Sequence, residues 1–164
     1  MPAHVAFHRD FYYGKHRSTY FCDFPMLNAD PLNPNNEALF FSTFVADVKK
    51  GNLLDGKNKD SYSDSFGKEL PLLIGYKASK LWHCHVGPFD YSTSYLQKKI
   101  RELNLGGLTS AAIVHYKWYD PSTKTKLIII SFSPIHTPFP GTDMKPNHLL
   151  SRGGLLFSHQ IINS

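Results

Sequence analysis

An α+β fold, with helices packed on one face of a mainly antiparallel sheet, is what this sequence of 164 residues predicts. Three observations carry that prediction. Residues 37–50 have helical periodicity and a capping signal at each end. Residues 110–118 and 126–133 are β-rich runs flanking a turn sequence, the pattern of a hairpin. The elements follow one another as irregular leader, helix, strand, helix, hairpin and helix, with no internal repeat.

The leader, residues 1–36, is aromatic and irregular. Residues 3–13 and 18–24 each have the composition of a strand, and residues 28–36 (NADPLNPNN) form a loop because Pro and Asn dominate them. One domain is expected, with residues 1–36 as an N-terminal extension and 37–164 as the core. In the first helix Asn36 is the N-cap, and Glu37 suits the positive end of the helix dipole. Lys49 and Lys50 suit the negative end, and Gly51 follows as the terminating residue. Phe41, Phe44, Val45 and Val48 form one apolar stripe, with Phe40 beside it. Residues 51–67 are polar and predict a loop. Residues 70–76 are apolar and short, and residues 80–86 predict a strand. Residues 93–103 predict a second helix with Leu96, Ile100 and Leu103 on one face. Residues 120–124 predict the hairpin loop. A last helix is expected from about Pro146 toward Ile161, against the weakening effect of Gly153 and Gly154.

Composition narrows the function. A net charge of +5 and a pI of about 9.1 favour an anionic partner without identifying one. A hydrophobic fraction of 41% is enough for a packed core. Cys22 and Cys84 make no disulfide framework, which points to a reduced, cytoplasmic setting. Residues 1–9 lack the apolar stretch of a signal peptide, and no window approaches a membrane span.

Strand parity gathers the chemistry. Successive side chains on a strand point to opposite faces. Trp82, Cys84 and Val86 therefore share one face of their strand, and Leu81, His83 and His85 the other. In the next strand Ala112, Val114, Tyr116 and Trp118 share one face, and Ala111, Ile113, His115 and Lys117 the other. If the greasier faces pack on the helices, His83, His85, His115 and Lys117 emerge together. Ser131 and Ser133 have a parity that brings them alongside. Tyr116 and Trp118 are expected in the core. A lone strand histidine is most often structural, and His4, His8, His16 and His159 are expected at the surface. Lys49, Lys50, Lys57 and Lys59 read as a solvated face.

Three imidazoles, an ammonium and hydroxyls suit acid–base chemistry at a phosphodiester. Metal-free RNA cleavage needs a base for the 2′-hydroxyl, a cation for the phosphoryl oxygens and an acid for the leaving 5′-oxygen. Histidine serves as base or acid near neutral pH. Lys117, Lys145 and Arg152 are candidate phosphate partners. Metal binding is the rival use of the same atoms, with His83 and His85 joined by His115 or His136 on one zinc. No CxxC or HExxH pattern supports it, so no metal or other cofactor is expected. There is no G-x-S-x-G elbow, P-loop or dinucleotide fingerprint.

At these residues the chain resembles the YafO family of type II toxin–antitoxin toxins, related to the RelE-like group. Residues 44–53 (FVADVKKGNL) are similar to the family's first helix and its exit. Residues 60–66 (DSYSDSF), followed by 70–72 (LPL), resemble its acidic segment, and 81–86 (LWHCHV) its two-histidine strand. Residues 112–116 and 127–136 (LIIISFSPIH) resemble its final hairpin, and 147–157 (NHLLSRGGLLF) its closing helix. The resemblance implies a small twisted RelE-like sheet. It further implies a ribosome-dependent endoribonuclease that cleaves mRNA in the A site and is neutralised by a cognate antitoxin protein; the basic charge balance would help such a protein dock on rRNA through phosphate contacts. Carried over by position, it marks His83, His85, His136 and His148, with Arg152 nearby. The leader is longer than the pattern needs, and residues 137–145 look like an insertion. The competing readings are a non-catalytic RNA- or protein-binding module and a zinc hydrolase using the His83/His85 face.

Overall fold

The computed structural model describes residues 1–92, 97–136 and 145–164. Its strands are β1 (His4–His8), β2 (Leu53–Leu54), β3 (Asn58–Asp60), β4 (Leu81–Gly87), β5 (Lys98–Lys99), β6 (Ala112–Trp118), β7 (Lys126–Ser133) and β8 (Ile161–Asn163). Its α-helices are α1 (Arg9–Tyr13), α2 (Glu37–Lys50), α3 (Ile74–Ala78) and α4 (His148–Arg152). The main sheet runs β3-β4-β6-β7-β1-β8. It is mainly antiparallel; among the described strands of this sheet the parallel pair is β1 with β7. The protein is thus α+β, as the pattern predicts. Among the described residues no helix is long and apolar enough to cross a membrane.

The apolar run of β7 forms the middle of the sheet because both of its faces are covered. Leu127 and Ile129 join Val5, Phe7, Val114, Tyr116 and Trp118 under α1 and α2. Ile128 and Ile130 join Ala6 and Leu81 under Tyr76 of α3 and Leu149 of α4. Helices therefore lie on both faces, not one. A sheet whose central strand is apolar on both sides leaves greasy surface in water until each face is packed. Tyr116 and Trp118 are buried, as expected.

The capping of α2 follows the sequence. The Asn36 side chain accepts from the Leu39 N–H at 3.0 Å, and Gly51 ends the helix at φ +74°. Glu37 has a further role: it pairs with Arg17 at 2.7 Å and accepts from the Asn28 N–H at 2.8 Å, so the helix start is tied to the leader.

Other expectations change. The leader contributes β1, paired to both β7 and β8. His8 is buried, its Nδ1 accepting from the Asp10 N–H at the start of α1. Residues 51–67 contain β2 and β3 where a loop was expected. Lys98 and Lys99 form β5 against β2 where a helix was expected; its first positions, 93–96, lie outside the described residues. Asn58 explains this. Its amide donates to the carbonyls of Ile100 (2.8 Å) and Glu102 (3.1 Å), and its oxygen accepts from Tyr116 Oη at 2.7 Å. The last helix is short, ending at Arg152, and the chain then runs back to the sheet as β8. The expected insertion at 137–145 lies outside the described residues except for Lys145.

A candidate histidine–lysine site

The β4–β6 pairing places His83 opposite His115, and the β6–β7 hairpin places His115 opposite Ser131. A register shift between His115 and Tyr116 leaves Ile130 without a partner. The chain thereby changes parity: Ile128 and Ile130 face the apolar cluster under α3 and α4, while Ser131 falls opposite His115. The face shared by Leu81, His83 and His85 is therefore divided. Its Leu81 end is sealed by α3 and α4. Its His85 end is a polar cavity of about 550 Å³, lined by Lys57, Lys59, Ser63, Asp64, Ser65, His83, His85, Thr109, Ser110, Ala111 and His136.

His83 and His85 come from β4, and His136 follows β7. Their rings lie close: 5.7 Å between the centroids of His83 and His85, 5.6 Å for His83 and His136, 4.9 Å for His85 and His136. His83 Nδ1 is 3.1 Å from Ser61 Oγ. His85 Nδ1 lies 2.8 Å from the Ser110 carbonyl oxygen and 2.7 Å from the Ser110 backbone nitrogen, so its tautomer selects one of the two contacts.

The rings are buried, and burial is the main cause of their low pKa values. His83 is held well below the ordinary histidine value by burial, then by His85 and Lys59. His85 is lowered to about 3 by burial and then His136. His136 is lowered to about 4 by burial, then Lys59 and Lys57. All three are neutral at physiological pH.

Two lysines complete the wall. Lys59 stands opposite His83 in the β3–β4 ladder, so its side chain shares the histidine face. Its Nζ donates to the carbonyls of Asp60 (2.8 Å) and Ser63. Lys57 Nζ donates to Ser65 Oγ at 3.2 Å. Burial lowers both ammonium pKa values. The acidic segment folds over them, pinned by Asp64, whose carboxylate accepts from the N–H groups of Phe66 (2.8 Å) and Lys68 (2.9 Å).

The expected site residues divide accordingly. His83, His85 and His136 line the cavity. His115 is buried beside it, 6.4 Å from His83 between centroids, with Nε2 2.6 Å from Ser133 Oγ. Lys117 donates to the carbonyls of Gly153 (2.7 Å) and Gly154 (2.8 Å), where it caps the end of α4. His148 stacks on Phe21 at 4.9 Å, and Arg152 forms a buried ion pair with Asp23 at 2.8 Å. Lys145 is exposed. None of these last four lines the cavity.

Lys57 and Lys59 are not legible as site residues in a segment, 51–67, whose polarity predicts a loop. Their i,i+2 spacing around Asn58 was the available signal: it puts both lysines on one face and the asparagine on the other.

No known protein-family model matches the chain. Nor does any curated protein or solved structure.

Proposed function

We propose that the protein is an endoribonuclease that cleaves mRNA on the ribosome, a translation-blocking toxin restrained by a partner antitoxin. The observation that carries the reading is the gathering of three neutral imidazoles and two ammonium groups around one cavity. The five-segment resemblance to YafO-type toxins supports it, because the segment 60–66 and both histidines of β4 meet at this cavity.

The chemistry follows from the protonation states. A neutral imidazole takes the proton of the ribose 2′-hydroxyl. The freed oxygen attacks phosphorus, and the bond from phosphorus to the 5′-oxygen breaks. Lys57 and Lys59 stabilise charge on the phosphoryl oxygens. An ammonium whose pKa is lowered by burial is also a better acid than an exposed lysine, so Lys59 is the group we assign to protonate the leaving 5′-oxygen. No cofactor takes part in this sequence.

The test is induced expression in bacteria of wild type beside His136→Gln and His85→Gln, with primer extension on a reporter mRNA. Each variant is checked for folding by circular dichroism. Growth arrest with cuts near the start codon in wild type, lost in the folded variants, is the expected result. Soluble wild-type protein that neither arrests growth nor cuts the message would end this reading.

A further inference from the structure

We infer that His83, His85 and His136 form a binding site for one divalent transition-metal ion of the zinc class. One ring nitrogen from each of the three lies within 4.8 Å of those from the other two. In a tetrahedral zinc site, bonds of about 2.0–2.1 Å place neighbouring nitrogens roughly 3.3 Å apart. The imidazoles thus close on an ion by side-chain adjustment of an ångström or so, without any change of strand register. His83 and His85 project from one strand at i and i+2, and His136, half-buried, follows the end of β7.

The outer contacts fit ligation. A ligating imidazole commonly donates its second N–H to an oxygen, which fixes the tautomer and aims the lone pair. Ser61 Oγ stands at His83 Nδ1, and the Ser110 carbonyl stands at His85 Nδ1. With Nδ1–H donated in each case, Nε2 is the ligating atom. An ion on His85 therefore selects the contact to the Ser110 carbonyl over that to the Ser110 N–H.

The lysines oppose a bare cation and so define the fourth ligand. Lys57 and Lys59 line the same cavity, and their charge disfavours an ion that arrives with only neutral ligands. They favour one that carries an anion in its open position, such as hydroxide, chloride or phosphate. Imidazole ligands and a four-coordinate site with one open position suit Zn(II) and Co(II), while Mg(II) prefers oxygen.

An ion held here takes up the imidazole lone pairs that metal-free cleavage uses as base, so bound metal should inhibit that cleavage; binding itself is measured without RNA. Full-length protein stripped with a chelator is titrated with Co(II) and followed by visible absorption, and with Zn(II) by calorimetry. The expected result is one ion per chain, a four-coordinate Co(II) spectrum and displacement of cobalt by zinc. His136→Gln and His85→Gln should each weaken binding by more than about tenfold, since even outer contacts of a metal site are worth that much. The exposed-residue control His159→Gln should leave it unchanged. Absence of stoichiometric binding overturns the inference. So does binding that survives in both site variants, which would place the ion elsewhere. Either failure leaves the cleavage reading standing, and metal binding without cleavage would retain this site alone.

Discussion

Lys59 and Arg152 are two buried cations with different roles. The Lys59 ammonium faces the cavity beside His83, whereas Arg152 is turned away from it and donates to Asp23 at 2.8 Å and the Ile130 carbonyl at 3.2 Å. If the protein cleaves RNA as proposed, Lys59→Met should reduce that cleavage by about 10²- to 10³-fold, the scale on which losing one charge-stabilising donor acts. A folded Lys59→Met protein that cleaves at the wild-type rate would remove the lysine from the mechanism. Arg152→Ala should act on stability instead. It removes the ion-pair partner of the buried Asp23 carboxylate, 2% exposed, leaving it the His16 N–H at 3.0 Å, and should cost about 3 kcal/mol in urea unfolding. Buried histidines add a pH dependence. His115 is lowered to about 3 by burial and then His136, and His148 to about 4 by burial and then Arg152. Both lie below the unfolded value of about 6.5, so between these limits the unfolded chain binds more protons. Stability from these groups is complete above about pH 6.5 and is lost as pH falls toward 4 and then 3. Thermal melts of the metal-free protein should show Tm falling from about pH 6.5 downward; a flat profile to about pH 4 would contradict the burial of these rings.

At the scale of elements, the segment joining β2 to β3 decides whether the lysines meet the histidines. Gly56 in that segment passes so close to β4 that a Cβ there would lie 1.7 Å from the His85 carbonyl oxygen. The obstacle is backbone, which cannot swing aside as a side chain can. Gly56→Ala should push β3 from β4 and cost at least about 1–3 kcal/mol, the range of overpacking. It should also lower cleavage beyond what reduced folding explains, because Lys57 and Lys59 move with β3. Equal stability and activity in Gly56→Ala would mean that the turn yields without disturbing the pair. The parity change after Ile130 works on the same scale. It lets one strand supply aliphatic side chains to the core under α3 and α4, and hydroxyls beside His115.

Across the whole molecule, the N-terminal strand is an internal part of the sheet. β1 sits between β7 and β8, and Val5, Phe7 and Ala6 contribute to the cores on the two faces. Deleting residues 1–13 should therefore abolish cooperative unfolding instead of trimming a dispensable arm. It would expose an edge of β7 and leave β8 without a partner. Circular dichroism and a denaturant titration would decide this, and a truncated protein that melts cooperatively near the wild-type midpoint would refute it. The two cores also account for the site's location. The apolar end of the histidine face closes under α3 and α4, so the polar end is where the cavity remains.

The sequence alone determined whatever depends on neighbours along the chain. Capping residues and a 3.6-residue stripe defined α2, turn chemistry defined the β6–β7 hairpin, and period-two alternation put His83, His85 and His115 on one face. Those signals are local, set by backbone geometry and side-chain direction within a few residues. Tertiary structure decided the rest. Lys117, His148 and Arg152 have the residue types of a phosphate site, but packing assigns them to a helix end, an aromatic stack and a buried ion pair. Lys57 and Lys59 look like solvated charge until Asn58 bonds to Tyr116 and the 100–102 carbonyls and locks β3 beside β4. Such a strand has too few residues for periodicity to reveal it. Its formation rests on hydrogen bonds to partners more than 40 positions away, a distance over which sequence pattern carries no directional information.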